Sequence, residues 1–126
     1  MTPARDARRG SILVVDDEPL VCRLVEALLG AQHHVTAVAH GADALARFVA
    51  GERFDLVLCD LSMPEITGMD LYDRVRELAI DQAERMVFLT GGAFTPRARA
   101  FLEVRPHLEK PFDLPALESL VLARLG

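Results

Sequence analysis

With only two cysteines, Cys22 and Cys59, both inside apolar segments, the chain has neither a disulfide framework nor a Cys pair at metal-ligand spacing. Both read as small core hydrophobes, which fits a reducing, cytoplasmic setting. No apolar run approaches the roughly 20 residues that cross a bilayer. Residues 1–10 carry three arginines and no apolar h-region, which argues against a secretory signal and suits a flexible arm or linker. Positive charge is in deficit: 14 Lys and Arg stand against 19 Asp and Glu. Without residues 1–10, which hold three Arg and one Asp, 11 basic and 18 acidic side chains remain. That balance argues against direct binding of nucleic acid or of a membrane surface. Internal repeats and low-complexity segments are also missing, so residues 11–126 read as one domain with a real core.

What is present is a strict alternation. Apolar, β-branched-rich runs over 11–15, 34–39, 56–60, 85–90 and 107–109 read as strands. Helical spacing follows each. Pro19 opens a helix with Leu20, Val21, Leu24, Val25 and Leu28, and Gly30 supplies its stop. Gly41 opens a second, with Ala42, Leu45, Ala46 and Val49 on one expected face. Gly68 precedes a third with Met69, Leu71, Tyr72, Val75 and Leu78, Tyr72 being read as a packing residue. Thr95-Pro96 is an N-cap with proline at the first helical position, and Asp113 caps a last helix with Leu117, Leu120, Val121 and Leu125 inside. The order is (βα)₅, which implies a doubly wound α/β domain: a parallel five-stranded sheet covered on both faces.

The strand ends carry the chemistry. Asp16-Asp17 follow the first strand, Asp60 ends the third, Thr90-Gly91-Gly92 end the fourth, and Lys110-Pro111 follow the fifth. Taken singly, these are helix-start acids, a turn and a solvated lysine. Taken together, they stand at the rim where open α/β sheets hold their sites. Carboxylates converging there repel unless a cation sits among them, and few hard oxygen donors suit Mg²⁺, with Mn²⁺ an acceptable substitute. An ammonium and a hydroxyl beside them bind phosphoryl oxygens. Asp60 between them can act as a nucleophile and become an acyl phosphate. His33-His34 are adjacent in a strand, point to opposite faces and read as surface residues.

The runs Leu13-Val14-Val15-Asp16-Asp17-Glu18-Pro19, Asp60-Leu61-Ser62-Met63-Pro64 to Gly68, Thr90-Gly91-Gly92 and Glu109-Lys110-Pro111-Phe112 resemble receiver domains of two-component response regulators. The resemblance implies a flavodoxin-like sheet of order 2-1-3-4-5. It implies Asp60 as phosphoacceptor and Mg²⁺ on Asp17, Asp60 and the Ser62 backbone carbonyl, with Asp16 acting through a water. Lys110 would pair with the phosphoryl group, across a cis Lys110–Pro111 peptide, and Thr90 would move toward it. The donor would be a phosphohistidine of a histidine kinase or histidine phosphotransfer protein. The surface of the fourth helix, fifth strand and fifth helix would then shift toward an output partner, in a monomer or weak dimer. The family's switch position holds Tyr or Phe; here it is His107, which can still swap between exposed and buried rotamers. The Gly91-Gly92-Ala93-Phe94 loop, read as lying beside the site, and the arginine-bearing arm resemble receivers fused behind histidine kinases. Whether the chain stands alone or belongs to a longer protein stays open.

Two other functions compete. An aspartyl-phosphate phosphohydrolase usually needs a second acid two residues after its nucleophile, and that position is Ser62. A docking module without phosphorylation would not need the full set of Asp16, Asp17, Asp60, Thr90 and Lys110. The expected role is a self-modifying acceptor with no turnover on a free substrate.

Overall fold

A computed structural model describes residues 10–92 and 95–125. The expected arm, except for Gly10, and Phe94 lie outside the described residues. Gly10 itself is buried, its N–H donating to His33 Nδ1 at 3.0 Å and its carbonyl accepting the His34 N–H at 2.9 Å. His33 is thus half-buried and engaged, while His34 is exposed.

The elements run β1 (Ser11–Val15), α1 (Pro19–Leu29), β2 (His34–Val38), α2 (Gly41–Val49), β3 (Leu56–Asp60), α3 (Gly68–Leu78), α4 (Ile80–Ala83), β4 (Met86–Thr90), α5 (Pro96–Glu103), β5 (His107–Glu109) and α6 (Leu114–Leu125). The sheet order is β2-β1-β3-β4-β5 and every neighbouring pair is parallel. Alternation along the central strands divides the core in two. Leu13, Val15, Val57, Cys59, Met86 and Phe88 face α2, α3 and α5, while Ile12, Val14, Leu56, Leu58, Val87 and Leu89 face α1 and α6. Cys59 is fully buried as expected, and Cys22 is half-buried. Tyr72 packs edge-on against Phe88 and Phe101, whose rings also meet at 4.8 Å, and the Arg105 guanidinium covers Tyr72 and Phe101. Among the described residues, no helix is long and apolar enough to cross a membrane.

Three features depart from the sequence reading. The buried face of α2 is Gly41, Ala44 and Phe48, not Ala42, Ala46 and Val49; Val49 is 66 % exposed. Phe48 decides this, because its large ring meets Phe54 edge-on at 5.8 Å and buries far more area than Val49 would. In α1 the interior is held by Val25 and Leu29, leaving Leu20 and Leu24 exposed. The one-turn helix α4 was not expected. It starts where Ala79 breaks α3 in an extended conformation, and it seats Gln82 inside the molecule. Gln82 Oε1 accepts the Phe54 N–H at 2.7 Å and Gln82 Nε2 donates to the Phe54 carbonyl at 3.0 Å. The side chain therefore substitutes for a strand partner at the entrance to β3.

Candidate active site at the strand ends

Each functional side chain is delivered by the end of a strand. The Asp16 N–H donates to the Val38 carbonyl, extending the β1–β2 ladder by one residue and fixing Asp16 at the rim, fully buried. Its Oδ1 accepts the Glu18 N–H at 2.9 Å, a local turn that starts α1. Asp60 closes β3 and is 4 % exposed. Its Oδ1 accepts the Ser62 N–H at 3.3 Å. One carboxylate oxygen from each of Asp16, Asp17 and Asp60 lies within 4.8 Å of the others.

Beyond β3 the loop is tightly shaped. Glu65 takes a left-handed backbone conformation (φ 67°) and the Ile66 N–H turns back to the Pro64 carbonyl. The Thr67 hydroxyl accepts the Asp70 N–H while the Asp70 carboxylate accepts the Thr67 N–H, a reciprocal cap on α3. That cap lies directly on the end of β3. The Gly68 N–H donates to the Leu61 carbonyl, and a Cβ on Gly68 would stand 2.5 Å from the Asp60 carbonyl oxygen.

On the other side, the Lys110 N–H donates to the Thr90 carbonyl and the Lys110–Pro111 peptide is cis. Lys110 Nζ lies 2.7 Å from Glu18 Oε1, 2.9 Å from Asp16 Oδ2 and 3.5 Å from Asp60 Oδ1. Thr90 is buried, its hydroxyl accepting the Gly92 N–H. Behind it a cavity of about 310 Å³ is lined by Thr90, Arg99, Leu102, Glu103, His107 and Glu109. His107 is exposed at its mouth, with Nδ1 3.0 Å from the Arg105 carbonyl.

The electrostatics follow from burial and crowding. Loss of solvent, then the charge of Asp16, pushes the Asp60 carboxyl up to about 7, against the pull of Lys110 and the Ser62 N–H. Burial works against the Lys110 ammonium, yet its bonds to Glu18 and Asp16 more than offset this and keep it charged. Asp16 Oδ2 is buried, and its partner is the Lys110 ammonium at 2.9 Å, an ion pair outside strict hydrogen-bond geometry. Hard oxygen donors and negative charge in excess of the one ammonium fit a small divalent cation.

The raised Asp60 value has a consequence for stability. Between pH 3.8 and about 7 the folded chain holds a proton that the unfolded chain has shed, so stability falls as pH rises through that window. With metal chelated, Asp60→Asn is expected to be near neutral at pH 4 and more stable than wild type at pH 8. Urea titrations at the two pH values check both the sign and the window.

The sequence expectations and the geometry meet at Asp16, Asp17, Asp60 and Lys110, which converge, and at Thr90, one strand over. Ser62 contributes its N–H to Asp60, and His107 lies apart on the edge strand. Glu18 was missed as a site residue. Its only local signal is a third acid after Asp16-Asp17, and its contact with Lys110 spans 92 positions of sequence.

Comparison with known proteins bears on the domain as a whole. A family model described as the response regulator receiver domain matches residues 12–122. A response regulator receiver protein, CpdR of Brucella abortus, is 38 % identical over 82 % of this chain and 85 % of its own length. The response regulator PilR of Pseudomonas aeruginosa is 31 % identical over 93 % of this chain, which spans only 26 % of PilR. Among solved structures, the receiver domain of a Pseudomonas aeruginosa sensor histidine kinase, with a magnesium ion coordinated in its active-site cleft, is 26 % identical with a TM-score of 0.79. That match covers 94 % of this chain and 98 % of that one. With nearly its whole length matched, the chain belongs to the response regulator receiver domains, the phosphoacceptor modules of two-component signalling.

Proposed function

We propose that Asp60 is the phosphoacceptor, that Asp16 and Asp17 complete a Mg²⁺ site with it, and that Lys110 and Thr90 receive the transferred group. The observation that carries this reading is the convergence of three carboxylates at one rim against a single lysine ammonium. A divalent ion there supplies charge neutralisation to the acceptor and to the phosphoryl oxygens. Asp17 and Asp60, with the Ser62 carbonyl, are the direct ligands in this reading, and Asp16 acts through water. Mn²⁺ takes the same oxygen donors and serves as a substitute.

The donor is a phosphohistidine on a histidine kinase or a histidine phosphotransfer protein. An Asp60 carboxylate oxygen forms the new P–O bond as the P–N bond breaks, and the imidazole leaves with the bonding pair. Asp60 must be ionised for this, so Lys110, which favours the carboxylate, also favours the reaction, and a divalent ion held by Asp16, Asp17 and Asp60 would act in the same direction. No residue two positions beyond Asp60 offers a general acid or base, since Ser62 stands there, which favours a stable signalling mark over turnover. Output passes through α5, β5 and α6, with Thr90 moving into place and the cavity at its back receiving a side chain from β5. His107 at the mouth of that cavity is the side chain for that role.

The test is intact-mass spectrometry after acetyl phosphate and Mg²⁺. Wild type is expected to gain one phosphoryl group and Asp60→Asn none. Labelling that persists in Asp60→Asn, or no labelling of wild type, would sink the assignment.

A further inference from the structure

Lys110 is shared among three acids, and they are not equivalent. Asp16 is fully buried and anchored by the Glu18 N–H; Asp60 is the most distant at 3.5 Å. Glu18 makes the shortest contact, 2.7 Å, and the one with hydrogen-bond geometry, yet its side chain is 61 % exposed against 14 % for Lys110. The tightest partner of the lysine is therefore also the one most free to leave. A phosphoryl group on Asp60 brings three acceptor oxygens to the side of the ammonium where the contact is now longest. As Lys110 turns toward them, its bond to the exposed Glu18 is the contact placed to lengthen.

We propose that Glu18 is a positioning residue that holds Lys110 off the acceptor and competes with the phosphoryl group for its ammonium. It rests on the reading of Asp60 as phosphoacceptor and adds a residue to it. Glu18 thereby sets how readily the phosphorylated state is engaged, through Lys110 and not through the metal. Because the pair is solvent-exposed on the glutamate side, the competition is modest, and its removal is worth a few-fold in affinity.

The experiment is titration of beryllium fluoride, a phosphoryl mimic, into the whole chain at saturating Mg²⁺, followed by calorimetry. Glu18→Gln removes the charge, and Glu18→Asp keeps the charge while withdrawing it by one methylene from Lys110. Both are expected to bind about three- to five-fold tighter than wild type. Tightening in Glu18→Gln alone would mean a general field effect and would overturn the inference, as would wild-type affinity in both. Failure of wild type to bind the mimic at all would overturn the phosphoacceptor reading and this inference with it.

Discussion

Gly68→Ala is expected to lose on the order of 3–4 kcal/mol of stability and to label with acetyl phosphate about tenfold more slowly while still folded. The added Cβ would stand 2.5 Å from the Asp60 carbonyl oxygen and 2.9 Å from Leu61 Cα. Both are backbone atoms of β3 and its exit, so no side chain can turn aside to make room. Either the capped start of α3 lifts off the sheet or the end of β3 is displaced. The first opens packing around Leu71 and Val75, both fully buried, and the second shifts the acceptor carboxylate against Asp16 and Lys110. Urea denaturation measures the first loss and time-resolved mass spectrometry the second. A variant with wild-type stability and labelling rate would show that this close approach is not needed.

Gln82→Ala follows, with an expected cost of about 3 kcal/mol and no change in the acetyl phosphate labelling rate of the folded fraction. Gln82 is 2 % exposed and satisfies both the N–H and the carbonyl of Phe54. Truncation leaves two buried backbone groups without partners, each costing roughly 1–3 kcal/mol, along with a cavity. The site lies at the opposite end of β3, so its chemistry should be spared. For a domain of this size the midpoint of thermal unfolding should fall by roughly 10 °C. A shift in the labelling rate would show that the two ends of the strand are mechanically coupled.

The parts of this molecule that were legible in the sequence are those written locally. Unbroken apolar runs such as Leu56 to Cys59 specify buried parallel strands, and the residue ending each run is placed at the rim by the strand itself. Asp16, Asp60, Thr90 and Lys110 could be read that way without any knowledge of contacts. The buried face of α2 could not. Ala42, Leu45, Ala46 and Val49 form as regular a stripe as Ala44 and Phe48, and only the fit of the Phe48 ring against Phe54 chooses between them. Gln82 leaves no local mark and Glu18 only that of a third acid after Asp16-Asp17, since a polar residue near a helix start is ordinary and their partners lie 28 and 92 positions away. The exposure of Leu20 and Leu24 was hidden for the same reason: helical spacing gives a stripe but not its width.

The aromatic stack on the α5 side of the sheet gives the protein an optical property. The sequence holds no tryptophan and one tyrosine, so its phenol emission arises from Tyr72 alone. That ring is wedged between Phe88 of β4 and Phe101 of α5 beneath the Arg105 guanidinium, and the Arg105 carbonyl is the partner of His107. Any rearrangement running from Thr90 through α5 and β5 therefore changes the surroundings of the one fluorophore. The chain carries a label-free reporter for the α5–β5 face, the one proposed above to carry its output.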